Sequence, residues 1–316
     1  MIHQLAHAYR ARGGTLAADI ALMLTALVWG TNFVVVKQTL PQVPPMLFLG
    51  FRFTVAFVFL WPFLLCRRRG RASFRDWIRA AFTGALLFAG FATQILGQQF
   101  TTPGMSGFLT GIYVVFVPLF GIVLTRRFPG GAALAAAVLV AVGLGFLFLP
   151  GGAAFGPGAW LTLACAVLFA LHFLVLGRWS RGMDPLFLTA MQLLVTGVAG
   201  FAAAGFDLSP ALAFSRWAWA AIAYTAVLGS LGGYLVQTWA QRRTPPHHAA
   251  LILSLESPFA VLSSLVWGTE SLTAATGTGF AFILAGILLA ESGWRPRPRF
   301  FRREAPPGEE GSTLPE

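Results

Sequence analysis

A single carboxylate, Glu256, lies about ten residues into the otherwise apolar stretch 246–268. At ~1.5 Å of rise per residue this position is ~15 Å along a helix, near the midplane of a ~30 Å hydrocarbon core. An acid at that depth is costly to bury, and such acids mark substrate or proton pathways. Glu256 is therefore predicted to exchange a proton or to pair with a substrate amine. The structural alternative is an acid that hydrogen-bonds the Ser254 carbonyl, which Pro258 leaves unpaired.

Other polar and aromatic residues fall inside apolar stretches as well. Arg52 is predicted to bind an anion or carboxylate, with an inter-helix ion pair or carbonyl clamp as the alternative. Trp29 and Tyr113 are predicted to contact substrate, with core filling as the alternative. Counting ~1.5 Å per residue gives three layers: an outer polar gate of Asn32, Arg52 and Gln94, a central chamber of Trp29, Tyr113 and Glu256, and an inner polar gate of His172, Gln192 and Tyr234. Asn32, Gln94 and Gln192 also suit simple helix packing.

The sequence contains no motif that indicates an enzyme active site or a metal site. His172, His247, His248 and Glu256 form no nucleophile–base set and have no metal-ligand spacing. No catalytic residue, metal or cofactor is therefore expected. Convergence of these groups in the folded protein is the alternative that the sequence leaves open.

The composition is that of a membrane protein. Of the 316 residues, 57% are hydrophobic and only 10% are charged, too few to cover a soluble surface. The net charge of +11 arises from short basic bursts between apolar runs, a pattern typical of topology signals rather than of a nucleic-acid interface. The two cysteines, Cys66 and Cys165, give no disulfide framework. The first apolar run lacks a small-residue cleavage site and is expected to stay in the mature protein.

Ten apolar stretches are long enough to cross a bilayer. They are predicted near 19–40, 45–65, 77–98, 103–124, 131–149, 157–177, 184–205, 217–240, 246–268 and 272–291. Nineteen of the 22 basic residues fall on one side of such an arrangement, the exceptions being Lys37, Arg52 and Arg216. This bias predicts that both termini are cytoplasmic. The proline-rich, charged tail 292–316 is predicted to be disordered.

The chain also repeats itself weakly. One constant shift along the chain pairs Phe33 with Phe173 and Pro118 with Pro258 without gaps, and it sets Phe116 against Glu256 and Gln94 against Tyr234. Because each half holds five spans, an odd number, the halves enter the membrane in opposite orientations. An inverted repeat predicts alternating access about a midplane site, with kinks at Pro118 and Pro258.

Three motifs carry a family resemblance. The first span contains ALVWGTNF, the second begins PPMLFLGFRF, and the chain closes on ESPFAVLSSLVWGTESL. These resemble EamA-type transporters of the drug/metabolite transporter superfamily, over about residues 19–291. The resemblance implies ten helices and transport of small metabolites, often export. The chain departs from the family pattern where Thr269 separates Gly268 from Glu270, and where the first half has no equivalent acid.

These inferences combine into one prediction. The fold is an all-α integral membrane protein of ten helices, with a cytoplasmic lead at 1–18, a first repeat at 19–150, a second, inverted repeat at 151–291 and a tail at 292–316. The function is secondary active transport of small amphiphilic or zwitterionic metabolites such as amino acids, with export as the expected direction and with proton coupling. The alternatives are a passive facilitator or channel-like carrier and a membrane-embedded enzyme. The expected setting is the cell inner membrane, with substrate and lipid as partners, no nucleic acid, and a homodimer left open.

Overall fold

The computed structural model describes residues 2–66, 72–125, 130–148, 156–269, 271 and 273–293, and for residues 2–15 only the backbone. This part of the chain is helical and contains no strand. The helices are α1 (Ile2–Thr39), α2 (Pro45–Leu65), α3 (Phe74–Gln98), α4 (Pro103–Leu124), α5 (Gly131–Phe148), α6 (Pro157–Trp179), α7 (Pro185–Ala203), α8 (Arg216–Gln241), α9 (Pro246–Val266) and α10 (Ala274–Gly293). The predicted lead is continuous with α1. The arginine cluster 67–71 and the tail from residue 294 lie outside the described residues.

Local sequence explains where these helices begin. Proline occupies the first helical position of α2, α4, α6, α7 and α9, where a missing N–H costs nothing. Ser73 and Asp76 form a reciprocal capping box at the start of α3. At the start of α8, Ser215 makes one of the two capping hydrogen bonds, because its hydroxyl accepts from the Ala218 amide.

Within the described residues, eight helices are long and apolar enough to cross a membrane: α1 to α4 and α6 to α9. In the other two, α5 and α10, the apolar helical stretches are shorter, Leu134–Gly143 and Gly277–Gly286. These two helices pack along each other, with the rings of Phe146 and Phe282 stacked at 5.5 Å between centroids. The structure therefore gives an all-helical membrane protein with eight clear spans and a paired α5 and α10.

The packing of the helices is pseudo-symmetric. Helix α3 packs on α6 and α7, and the corresponding helix of the second half, α8, packs on α1 and α2. Helix α4 packs on α6, and α9 packs correspondingly on α1. The pairs α2 with α7, α4 with α9, and α5 with α10 each join equivalent helices of the two halves. The contacts that α3 and α4 make with the second half thus recur as those of α8 and α9 with the first half, while the three pairs of equivalent helices each occur once.

Glycine allows two of these pairs to approach closely. A Cβ atom on Gly200 of α7 would lie 2.6 Å from the Gly50 amide nitrogen of α2, a distance that no side chain tolerates. A Cβ atom on Gly107 of α4 would lie 2.8 Å from the Cβ atom of Ala260 in α9. Small residues at a helix interface let the backbones pack without intervening side chains.

The structure corrects the register of the repeat. Gln98 donates from Nε2 to the Phe33 carbonyl at 2.6 Å, and Gln241 donates from Nε2 to the Phe173 carbonyl at 3.3 Å. The two hydrogen bonds are equivalent, yet the glutamines stand three residues further apart in the chain than the phenylalanines do. The constant, ungapped shift is therefore wrong beyond the second helix of each half. The equivalent of Gln94 is Gln237, not Tyr234.

Two local features account for the added residues. The serines that cap α3 and α8, Ser73 and Ser215, are already two residues further apart than the constant shift allows, because the connector before α8 includes a 3₁₀ turn at Ser209–Ala213. Within α8, Thr225–Gly232 is π-helical. A π turn closes from i to i+5 and holds one residue more than an α turn, which supplies the third residue of the offset.

Both α4 and α9 are interrupted near their middle. The α-helical segments of α4 meet at Ile112, and those of α9 meet at Ser254 and Leu255. The second segments begin at Tyr113 and Glu256, which have the same offset as Gln98 and Gln241. Tyr113, not Phe116, is thus the positional equivalent of Glu256. Measured from these breaks, Pro118 and Pro258 are three residues out of register, so the two prolines do not form equivalent kinks.

Candidate functional site

A cavity lies where α1, α2, α3, α4, α6, α8 and α9 converge, between the two halves. It holds about 610 Å³ of space not occupied by protein atoms, including the part that is open to the outside. Its wall contains Trp29, Asn32, Phe33, Val36, Leu49, Arg52, Phe91, Gln94, Ile95, Gln98, Tyr113, Phe169, His172, Phe173, Tyr234, Gln237 and Glu256. In transporters built from repeats, the interface between the repeats is where substrate sites lie.

The polar and aromatic residues singled out in the sequence meet at this cavity. Trp29, Asn32, Arg52, Gln94, Tyr113, His172, Tyr234 and Glu256 all belong to its wall. Gln192 does not, but its Oε1 atom lies 2.7 Å from His172 Nε2. The three predicted layers therefore share one cavity.

Arg52 is 3% exposed and has only neutral neighbours at hydrogen-bond distance among the described residues. Its Nε atom donates to Ser230 Oγ of α8 at 2.7 Å. The guanidinium carbon lies 4.9 Å from the centroid of the Phe91 ring and 5.3 Å from that of the Phe53 ring. Aromatic faces stabilise a guanidinium without consuming its donors. Arg52 thus keeps hydrogen-bonding capacity for a ligand.

Glu256 is 4% exposed and begins the second segment of α9. Its carboxyl group lies beside the hydroxyl of Tyr113. The Ser254 carbonyl, which Pro258 leaves without its usual donor, accepts from the Ser257 amide at 3.1 Å. The structural alternative for Glu256, in which the acid satisfies that carbonyl, is therefore not needed. Within the described residues, no basic side chain lies within 4.0 Å of Glu256, so Arg52 and Glu256 do not pair.

Aromatic rings line the same cavity as these charges. Trp29 and Tyr234 lie 5.2 Å apart between ring centroids, and Phe91 and Phe169 lie 5.3 Å apart. The Trp29 indole N–H donates to the Gly229 carbonyl at 2.8 Å. Gly229 and Ser230 both belong to the π-helical segment of α8, so this irregular backbone orients Trp29 and Arg52 together. Such π segments are frequent at functional sites.

The cavity wall also contains residues that no sequence pattern had indicated as functional: Gln98, Gln237, Phe91, Phe169 and Phe173. The glutamines were missed because the constant shift paired Gln94 with Tyr234 and left Gln237 opposite a glycine. A gap of two residues before α8 and of one residue within its π-helical segment would have revealed both Gln94 with Gln237 and Phe91 with Tyr234. The phenylalanines carry no signal of their own, since 30 phenylalanines occur in the chain.

Comparison with known proteins agrees with this architecture. The model of the EamA-like transporter family matches residues 16–149 and again 156–291. A protein of Archaeoglobus fulgidus named as an uncharacterized transporter is 31% identical over 87% of this chain and 85% of its own length. The uncharacterized inner membrane transporter YedA of Escherichia coli K12 is 26% identical over 86% of this chain and 90% of its own length.

More distant similarity extends to a plant protein and to a solved structure. The WAT1-related protein At3g02690, chloroplastic, of Arabidopsis thaliana is 24% identical over 87% of this chain and 70% of its own length. One crystal structure, at 19% identity, superposes with a TM-score of 0.72 over 87% of this chain and 96% of its own length, which shows the same fold. With the family model matching twice across nearly the whole chain, this protein belongs to the EamA-like transporter family and is a multi-pass membrane transporter.

Proposed function

We propose that this protein is a secondary active transporter that exports small zwitterionic, partly apolar metabolites such as amino acids by alternating access. The observation that carries the proposal is the pair of opposite charges in one cavity. Arg52 and Glu256 are both nearly inaccessible, yet they do not pair with each other. Unpaired buried charges are costly, and a ligand that brings one charge of each sign lowers that cost when it binds.

The character of the cavity supports an amphiphilic ligand. Its single guanidinium suits one carboxylate, whereas a polyanion calls for several basic side chains. The aromatic rings of Trp29, Tyr234, Phe91 and Phe169 offer surface for an apolar side chain. In this proposal Arg52 binds the ligand carboxylate, and Glu256 either pairs with an ammonium group or exchanges a proton against the ligand.

The arrangement of the helices supports alternating access. The cavity lies between two halves that contact each other through a duplicated set of helix pairs, and both α4 and α9 are interrupted where they border it. In the proposal all ten helices cross the membrane, the second half is inverted and both termini are cytoplasmic, as the distribution of arginines favours. Rocking of one half against the other then opens the cavity to either side in turn.

Counterflow in proteoliposomes tests the proposal. Vesicles loaded with unlabelled L-leucine should accumulate external labelled L-leucine transiently, which a carrier supports and a simple pore does not. Glu256→Gln should abolish the response of uptake to a pH gradient, or raise KM for ligands whose ammonium group pairs with the carboxylate. A lost charge-assisted hydrogen bond, worth about 1.5–3 kcal/mol, corresponds to roughly 10- to 150-fold in KM. If Glu256→Gln leaves both counterflow and the response to a pH gradient unchanged, the role of the carboxylate is refuted.

A matched control is available outside the spans. Asp207 is exposed and lies in the connector before α8, where the Ser209 hydroxyl and amide hold its pKa below the usual range. Asp207→Asn also removes one carboxylate and should leave KM unchanged. Comparing right-side-out with inverted vesicles decides the direction of transport. A product formed from the probe without net flux would instead favour the membrane-embedded enzyme.

A further inference from the structure

The repeat provides an internal comparison for each polar residue of the cavity. His172 and Gln192 bond to each other, His172 Nε2 to Gln192 Oε1 at 2.7 Å. Their equivalents in the first half, by the offset of Phe33 and Phe173, are Asn32 and Arg52. In this half Arg52 bonds Ser230 instead, and the Oδ1 atom of Asn32 has no hydrogen-bond partner among the described residues. The polar pair of the second half is joined by a hydrogen bond, whereas the equivalent pair of the first half is not.

The equivalent helices α3 and α8 show the same difference between a hydrogen-bonded polar residue and an unpaired one. Gln94 donates from Nε2 to Thr110 Oγ1 at 3.2 Å. By the corrected offset, that of Gln98 and Gln241, the equivalents in the second half are Gln237 and Leu253, and leucine has no hydroxyl to hold the amide. Gln237 is 1% exposed, and its Oε1 atom has no hydrogen-bond partner within the described part of the chain. Asn32, at 6% exposed, and Gln237 thus each present a buried acceptor without a donor.

A buried acceptor left unpaired costs free energy, so such atoms call for an explanation. Both residues belong to the cavity wall, where a ligand would lie. Amide oxygens accept hydrogen bonds, so the missing partners are N–H or O–H donors. The pairs His172 with Gln192 and Gln94 with Thr110 find these partners within the protein. Gln241 Oε1 also lacks a partner among the described residues, but Gln241 lies outside the cavity wall, so it is the position in the wall that singles out Asn32 and Gln237.

Helix register gives the spacing of the two acceptors. Gly229 packs on Asn32, and Gly233 packs on Trp29, so α1 and α8 run side by side in opposite directions. Asn32 therefore lies level with Ser230, the partner of Arg52. Gln237 lies one turn beyond Gly233, on the opposite side of Trp29. The two acceptors are about two helical turns apart along the axis, ~10 Å at ~5.4 Å per turn.

Glu256 lies near the level of Gln237. Gly30 packs on Phe259 and Ala260, and Asp19 pairs with His248 at the start of α9, so α1 and α9 run in parallel. Glu256 comes about one turn before Ala260 and therefore lies about one turn toward the start of α1 from Gly30. The cavity thus has two polar ends, Arg52 with Asn32 and Glu256 with Gln237, separated by the Trp29 and Tyr234 rings.

We propose that the cavity takes amino acids with a hydrogen-bond donor at the far end of the side chain: Arg52 and Asn32 bind the α-carboxylate and α-ammonium, and Gln237 with Glu256 binds the distal amide, ureide or ammonium. This inference rests on the proposed function and narrows its ligand class. By helix register Glu256 lies near the level of Gln237, and Asn32 lies near the level of Ser230, the partner of Arg52, so Glu256 serves the distal end of the ligand. The side chain passes the aromatic rings between them.

Binding of two chemically matched probes tests the distal subsite. L-citrulline carries a terminal ureide donor, whereas L-norleucine has an apolar side chain without any donor. In counterflow inhibition by the reconstituted protein, citrulline should be preferred by about 10-fold, which is about 1.4 kcal/mol. Gln237→Met should reduce this preference to near unity and leave inhibition by norleucine intact. Gln241→Met, which changes a buried glutamine outside the cavity wall, should leave the ratio of the two probes as in the wild type.

The outcomes separate the two proposals. If neither probe nor any other amino acid inhibits or is transported, the proposed function fails. If norleucine and citrulline inhibit the wild type equally, the distal subsite is refuted while amino acid transport stands. The ratio of inhibition by citrulline to inhibition by norleucine in the wild type decides this point by itself. The conclusion therefore holds even if the variant does not fold. Retained inhibition by norleucine in Gln237→Met serves as the check that the variant is folded.

Discussion

Ser230→Ala is the most direct probe of how the cavity positions its cation. The Ser230 hydroxyl is fully buried in the π-helical segment of α8 and accepts from Arg52 Nε at 2.7 Å. Without it the Nε–H loses its partner, and the guanidinium is held only by the faces of Phe91 and Phe53. The loss of one buried hydrogen bond to a charged group costs about 1.5–3 kcal/mol. We expect this cost to appear in part as a lower free energy of unfolding and in part as weaker binding of the ligand carboxylate.

Ser257→Ala provides the matched control. Ser257 is also a fully buried serine in the second half, and its hydroxyl donates to the Gly107 carbonyl of α4 at 2.7 Å. Both substitutions remove one hydrogen bond between the halves, so both should lower the melting temperature by a comparable amount. The two serines differ in their partners, since Ser230 accepts from Arg52 and Ser257 donates to a backbone carbonyl. A general weakening of the protein would therefore affect both variants alike.

The assay compares KM for L-leucine with KM for isoamylamine, its analogue without the carboxylate, in proteoliposomes. Ser230→Ala should raise KM for leucine about tenfold, or ~1.4 kcal/mol, while KM for the amine changes little. Ser257→Ala should change neither the KM for leucine nor the KM for isoamylamine. The reasoning about Arg52 is refuted if Ser230→Ala raises KM for both compounds equally, or raises KM for leucine no more than Ser257→Ala does.

Two further predictions concern the scaffold. Gly200→Ala should lower the melting temperature, at a cost of about 1–3 kcal/mol, because the new methyl group meets the α2 backbone at 2.6 Å; Gly121→Ala, whose nearest atom lies at 3.6 Å, should be tolerated, and equal melting temperatures would contradict this packing. His172→Leu should destabilise by about 1–3 kcal/mol because Gln192 Oε1 loses its partner. The double change with Gln192→Leu should cost less than the sum of the single changes, and additive effects in thermal unfolding would show that the two side chains are not coupled.

The distribution of apolar residues was enough to predict the helices. Runs of about 20 apolar residues admit only helix in a bilayer, because every backbone N–H and C=O must be satisfied within the segment. The same constraint makes an isolated ionisable residue conspicuous, which is why Glu256 and Arg52 stood out. Both occupy the cavity wall. Their roles as coupling or binding residues remain predictions.

The register of the repeat could not be obtained in this way. An apolar helix tolerates one inserted residue as a π turn, with little trace in its composition. The segment Thr225–Gly232 and the longer connector before α8 together displaced the comparison by three residues. That displacement hid Gln237 as the equivalent of Gln94, and Tyr113 as the equivalent of Glu256. Which glutamines are hydrogen-bonded and which are unpaired depends on neighbours in another helix.

The sequence by itself determined that this is a helical membrane protein with a duplicated architecture and a few ionisable residues at depth, because hydropathy and charge act locally along the chain. The tertiary structure decided that Arg52 and Glu256 share a cavity without pairing, since only packing fixes distances between helices. It also decided which polar groups are satisfied within the protein. Hydrogen bonds such as those of His172 with Gln192 and of Gln94 with Thr110 depend on geometry that no spacing in the sequence specifies.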